Sequence, residues 1–477
     1  MKLVTLLASI FLCIFSAYAV DIEQSYQDLA GTFSEVEGLI KGTLPVNTQF
    51  IVNQVPFTIT QPGKYSVGQN LVYSGSGAAI TVAADNVSIN FRNHSLTVQS
   101  PSSVGVLAQN VSEFTLENEV INSASSVGVH LIGVNKAVVN NIFITSNSNA
   151  ILVENSQDIQ LFSSQFISKS GVSVVNSSHV VIDSCTFNGM QTALGLHLEG
   201  ASTDVIVTNS TFTDCLSSIH ALRVDGLLVD GCQAMASSSS NQSLVQLGSG
   251  DAGCLANDVI IRNSSFTQAT AVAGFNGFLV LAGSGCLLEN LVINSASCDL
   301  TTGLSSAALH VGYASGSPYE NLLAKGCIIT GDNPRALFIE HGNKVVVDEC
   351  HISGASSNNI HMLNATSCTV KNCMIFDGNN GVLLDSRGGG GSNSIKDCFV
   401  YNNTLLGISV ADMANNNVSG NTVWGCQTGI QIASSDYTET IFNTSCNNSQ
   451  QNCSNVYPSQ APGGSAALAG SNICCDP

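Results

Sequence analysis

IDSCTF at residues 182–187 returns as VTNSTF at 207–212 and again as VDGCQA at 229–234. Each phrase opens on an apolar residue and carries a bend-forming residue third and a small one fourth. Aligned the same way, fifteen such phrases run from FRNHSL at 91–96 to IFNTSC at 441–446. Their fourth residues lie mostly 21–25 apart, with longer intervals of 27, 32 and 36 that read as loop insertions. A short period of this kind is the signature of a stacked repeat architecture.

The first position is apolar in all fifteen phrases, from Phe91, Leu116 and Val139 through Val370, Ile395, Val418 and Ile441. The third is Asn in eight, among them Asn93, Asn118, Asn141, Asn209 and Asn263, and Gly in three. Asn and Gly tolerate the left-handed backbone of a tight bend. Thirteen residues before the fourth position lies a second short strand, as in GVHLIG (128–133), AILVEN (150–155) and ALFIEH (336–341). Two or three short strands per repeat, joined by bends instead of helices, predict a single all-β domain: a parallel solenoid of about 15 coils over residues 55–445. At roughly 4.8 Å per coil the rod is on the order of 65–70 Å long. A column of fifteen apolar side chains, at about 1.5–3 kcal/mol each, is enough to organise it.

These repeats resemble the right-handed parallel β-helix proteins of the pectin-lyase-like class. The first coils, QPGKYSVGQNL at 61–71 and AITVAADNVSINFRNHSLTV at 79–98, are most similar to the copper-export-associated β-helix family. The class includes lyases, hydrolases, adhesins and phage fibres, so the resemblance implies a fold and leaves the activity open. A polygalacturonase of this class would carry Asp-Asp, Gly-His-Gly and Arg-Ile-Lys. The chain has no Asp-Asp pair, and only Glu340-His341-Gly342 approaches the second motif.

The ends differ from the repeats. Residues 1–19 read as a secretory signal peptide, with an early lysine, an apolar run and Ala17-Tyr18-Ala19 as the cleavage site. No later stretch is long and apolar enough to span a membrane. Residues 20–54 place Ile22, Leu29 and Val36 seven apart, and Tyr26, Phe33 and Ile40 likewise, which predicts an amphipathic helix capping the solenoid. The other reading of that helix is an oligomerising coil, as in a trimeric fibre. Residues 446–477 form a Cys-bearing tail. The formal charge of −19 becomes −20 without Lys2. That acidity excludes nucleic acid as a partner, which needs clustered Lys and Arg, and disfavours polyuronates. Sixteen cysteines remain after Cys13. Those at the fourth repeat position (Cys185, Cys232, Cys327, Cys350, Cys373 and Cys398) read as a buried thiol ladder. Cys368, Cys426, Cys446, Cys453, Cys474 and Cys475 read as disulfide partners, with Cys254, Cys286 and Cys298 as loop pins.

The outward residues of the second strand, one per coil, run His130, Leu152, Ser173, His197, His220, Val245, Leu279, His310, Phe338, His361, Leu383 and Ser409. Five of the nine histidines fall in this column, and Glu154, Glu199, Glu340 and Asp385 lie in the next. His197, Glu199, His220 and Arg223 are the first candidates for acid–base work on a sugar, and Arg335, Glu340 and His341 the second. The triad of His197, Glu199 and His220 could also ligate zinc or copper, given a further ligand. The apolar outward residues at Val245, Leu247, Leu279 and Leu281 read first as a face covered by the long loops beside them; the functional alternative is a loop-walled groove in which His310, Tyr313 and Tyr319 contact a glycan. No cofactor motif is visible. The expectation is a secreted, non-enzymatic protein, monomeric or trimeric, that presents one face to glycans or partner proteins, with a carbohydrate-active enzyme as the rival.

Overall fold

The computed structural model describes residues 49–475 apart from 124–126, 191–193, 237–242, 250–254, 269–277, 281–282, 296–306, 313–318, 332–333, 387–388, 434, 436 and 455–471. The signal peptide, the amphipathic helix, Cys254, Cys298, Tyr313 and Leu281 lie outside the described residues.

One coil shows the plan. Strand Ser178–Asp183 leads through a bend to Thr186–Asn188, then to Leu194–Glu199, and the chain re-enters the first row at Ser202–Thr208. Every pairing is parallel and joins one coil to the next, for example Val180↔Val205, Phe187↔Phe212 and Leu196↔Ile219. Pairing begins at Gln49–Val52, which lies beside Gly63–Val67, so the solenoid starts before residue 55. It continues through Gln451–Ser454 and Ile473–Cys474 at the other end.

Alternation within each strand sends one set of side chains inward, where like residues stack along the axis. Phe166, Phe187 and Phe212 form a buried row with ring centroids 5.1 and 4.5 Å apart. Ile329, Ile352 and Ile375 continue that row on later coils, fully buried.

The bends obey two rules. A residue of left-handed φ turns the chain, and Asn93, Asn118, Asn141, Asn209 and Asn263 all sit at φ between 49 and 63°. From Ser164 onward the residue after it is, on most coils, a small polar one, and on several it accepts a hydrogen bond from the backbone one coil below. Thus Cys185 N donates to Ser210 Oγ at 3.1 Å, Cys232 N to Ser264 Oγ at 3.0 Å and Cys398 N to Asn421 Oδ1 at 3.0 Å. A buried N–H that cannot join a ladder is satisfied this way.

The six fourth-position cysteines are buried and unpaired, as a thiol ladder requires. Their Sγ–H groups point at carbonyls one coil below, as in Cys327 to Leu288 O at 3.4 Å and Cys350 to Ala324 O at 3.5 Å. Disulfides join Cys446 to Cys475 and Cys453 to Cys474. Cys368 and Cys426, expected to be bridged, are instead buried thiols, as is Cys286, which belongs to strand Gly283–Glu289 and pins no loop. The last repeat is displaced by one residue from its sequence alignment. Thr440, not Ile441, pairs with Val418 and is buried, while Phe442 takes the left-handed bend and is exposed.

Burial pushes the thiols of Cys185, Cys215, Cys232 and Cys286 up to about 12. They therefore stay protonated at neutral pH and should resist a soluble thiol reagent until denaturant is added, which a colorimetric thiol titration will read. Asn421→Ala leaves the Cys398 N–H without its acceptor. It should cost about 1–3 kcal/mol, visible as a lower denaturation midpoint.

Candidate functional site

The histidine column is a continuous ladder on the outer face of the second strand. Register carries it from His130 to Leu152, Ser173, His197 and His220. It then passes through Gln246, not Val245, to Leu279, His310, Phe338, His361, Leu383 and Ser409. Val245 and Leu247 point inward and are fully buried. The outer face is thus polar on the coil where an apolar face was expected. Tyr319 is in the core as well, with its hydroxyl donating to Ala256 O at 3.3 Å, and so does not line that face.

His197 and His220 occupy adjacent coils with ring centroids 5.3 Å apart and planes 18° from parallel. Burial lowers the pKa of His197, opposed by Glu199, whose Oε2 is 4.0 Å from Nε2. Burial, reinforced by the neighbouring His197, lowers that of His220 to about 4, against a hydrogen bond with Gln246. Both rings are therefore neutral over most of the pH range. Gln246 lies one coil above the pair and Ser173, itself buried, one coil below, so four successive coils carry uncharged hydrogen-bonding groups. Arg223 is exposed in the bend after the strand. Among the described residues no group of three or more His, Cys, Asp or Glu is arranged to hold a metal ion.

Sequence reasoning missed how the other column histidines are held. His130 Nε2 lies 2.6 Å from Glu154 Oε2, His310 Nε2 lies 3.3 Å from Glu340 Oε2, and His361 Nε2 lies 4.0 Å from Asp385 Oδ2. In each case the carboxylate stands two residues beyond the histidine's ladder partner, one coil up. This diagonal is within reach of long side chains on a sheet. Once the register is assigned, the spacing can be read from the sequence.

The second candidate cluster surrounds Phe338. Its ring lies between those of His310 and His361, at 4.7 and 5.1 Å, and all three are almost completely buried. The Arg335 guanidinium carbon sits 4.3 Å from the Phe338 centroid, and Nε donates to His361 Nδ1 at 2.9 Å. That bond fixes the neutral His361 tautomer with its proton on Nε2, toward Asp385. Hydrogen bonding from His310 is the largest influence on Glu340; with help from His341 and Arg335 it outweighs burial and holds the carboxyl below the usual range. His341 itself is a bend residue at φ 53°. The structure thus brings Arg335, Glu340 and His310 together, and joins to them His361 and Asp385, which the second candidate set lacked.

The family model described as right handed beta helix region matches residues 78–234, 149–305 and 258–445. The chain belongs to the right-handed β-helix family. Similar solved structures include the A-module of the Azotobacter vinelandii mannuronan C-5 epimerase AlgE6, at 12% identity over 82% of this chain and 91% of that one, with a TM-score of 0.27. The tailspike protein of E. coli bacteriophage HK620 in complex with pentasaccharide is 13% identical over 80% of this chain and 74% of that one, with a TM-score of 0.46. Pectate lyase Pel9A is 12% identical over 53% and 69%, with a TM-score of 0.33. Likeness at this level concerns the fold alone. No curated protein matches the sequence.

The stacked imidazoles set a pH dependence. The folded pKa of His220 lies below its ordinary value of 6.5, so the folded state binds fewer protons than the unfolded state between them. Stability is therefore full above about 6.5 and falls as pH drops toward 4. In His220→Gln this component should disappear, read as a smaller loss of melting temperature between neutral and mildly acid pH. A proton NMR titration should place the His220 midpoint near 4.

Proposed function

We propose that this β-helix protein is secreted or surface-exposed and binds an uncharged glycan on its histidine-bearing face, without cleaving it. The binding stripe runs from Ser173 through His197 and His220 to Gln246, with Glu199 and Arg223 at its margin. The observation that carries the reading is the neutrality of the stacked pair: two imidazoles held uncharged offer a donor and an acceptor each, on a coil spacing close to the length of one sugar ring. The acidic chain suits a ligand without negative charge. The signal-peptide character of residues 1–19 and the two disulfides near the C-terminal end support an oxidising, extracytoplasmic setting.

The enzymatic reading asks for more than the site offers. Glycoside hydrolysis needs a carboxyl with a raised pKa as proton donor. At the second cluster Glu340 is shifted the other way, and at the first the histidines are too weakly basic to be charged. The same geometry that weakens acid catalysis favours hydrogen bonding to hydroxyls.

A panel of neutral and acidic polysaccharides, read for both binding and cleavage products, tests the proposal. Saturable binding of a neutral glycan is expected, weakened about tenfold or more in His197→Ala/His220→Ala. Cleavage products that vanish in His197→Ala or Glu199→Ala would overturn the binding reading in favour of an enzyme. Absence of both binding and turnover would point to a fibre or scaffold, and sedimentation would then separate a trimeric fibre from a scaffold.

A further inference from the structure

A second outer surface, on the strand that precedes the histidine strand, carries an aromatic row. Phe376, Tyr401 and Trp424 are ladder partners on three successive coils. Phe376 and Tyr401 stack at 5.0 Å with planes 9° apart, and Phe399 packs against Tyr401 at 5.0 Å. Phe399 is 42% exposed and Trp424 49%. Met374 extends the parallel row that contains Phe399, and exposed His351 ends its apolar part on the coil below. Over the coils from Met374 to Trp424 these two rows hold no charged side chain. Exposed apolar residues scattered singly need no explanation, but a contiguous aromatic row does.

We infer that this row is a second saccharide subsite, taking a linear, uncharged oligosaccharide that lies along the rod axis. Three features select this occupant. The two rows stand about 7 Å apart and run over three coils at about 4.8 Å each, a strip of a few hundred Å² at most. That falls well short of the ~800 Å² per partner that a stable protein interface buries, so a second copy of the chain is not the match. An extended peptide docks on a sheet by adding to an edge. Here Phe399–Tyr401 is already paired with Met374–Phe376 below and Thr422–Trp424 above, so there is no edge to extend. A narrow chain lying across the side chains fits what remains.

The chemistry agrees with a sugar. The stacked Phe376 and Tyr401 turn their faces to each other, leaving ring edges of partial positive charge outward, toward which hydroxyl oxygens are drawn. Trp424 adds an exposed indole with an N–H donor, and the Tyr401 hydroxyl and Thr422 supply further polar ends. One ring per coil matches one sugar per coil. The subsite stands apart from the histidine stripe and does not depend on it.

Trp424 is the single tryptophan of the chain, so its fluorescence reports this surface alone. The full chain would be titrated with soluble β-1,4-linked glucan, mannan and N-acetylglucosamine oligomers, with polygalacturonate oligomers as the anionic control. The expected result is a saturable blue shift with a neutral oligomer, undiminished in His197→Ala/His220→Ala and weakened about tenfold in Tyr401→Ala. Unchanged far-ultraviolet dichroism in Tyr401→Ala will show that the coils remain stacked. No saturable shift with any neutral oligomer would overturn the inference. So would a shift that follows protein concentration without sugar, which would make the occupant a second copy. A response lost in the histidine variant but kept in Tyr401→Ala would assign the binding to the histidine stripe instead.

Discussion

Along much of this solenoid a bend directs a backbone N–H inward, where no strand can accept it, and a side chain of the next coil supplies the acceptor. Ser210 does so for Cys185, Ser264 for Cys232, Asn393 for Cys368 and Asn448 for Cys426. An orphaned buried N–H costs about 1–3 kcal/mol, and a rod with two or more such bends per coil could not carry that cost repeatedly. The acceptor must be short, because the cavity inside the bend is narrow. That explains why Ser, Cys and Asn replace one another at the fourth repeat position and why no bulky residue is common there. It also couples the coils: a bend can close only when its neighbour is in register.

Register then decides everything on the outside. A slip of one residue would exchange the inner and outer faces of a strand, so fixing the bends fixes which side chains stack in the outer columns. Residues more than twenty positions apart in sequence become neighbours at about 4.8 Å. Along one column this yields two opposite electrostatic arrangements. His130, His310 and His361 each meet a carboxylate on the next coil, while His197 and His220 meet each other. Burial opposes protonation of the stacked pair, and at His220 the second imidazole opposes it further. The pair on the middle coils is therefore the part of the column built to remain uncharged.

How much of this the sequence reveals depends on whether the period is interrupted. The core rows, the left-handed asparagines, the thiol ladder and eleven of the twelve column residues follow from counting, because each repeat restates the same constraint. Val245 fails because an insertion of uncertain length precedes it, and SLVQLG at 243–248 alternates acceptably in either phase. Stacking of Val245 on buried Ile219 and of Leu247 on buried Ala221, rather than any local signal, chooses between them. Ile441 fails at the other end because the terminal coil accepts Thr440 as the buried partner of Val418. Cys368 and Cys426 look like bridge partners by position in the chain, yet each is spent on a bend. The Arg335–His361 bond and the diagonal pairs depend on two coils at once, which no reading of a single repeat can supply.

The distribution of charge gives the surface its division of labour. On the long sheet, Asp230 pairs with Arg262 at 2.9 Å and Asp348 with Lys371 at 3.0 Å, so scarce cations are placed where they neutralise carboxylates between coils. Arg335 is committed to Phe338 and His361. The formal net charge of −19 repels an anion. The surfaces left for recognition are the uncharged ones: the Ser173–Gln246 stripe and the Phe376–Trp424 row. Both run along the axis, and both offer one contact per coil. A regular polymer of neutral units can match that repeat over several coils with no conformational change in the rod, whose parallel pairing leaves it little freedom to make one. Repetition is thus the property that the fold can recognise most readily, because it is the property from which the fold is built.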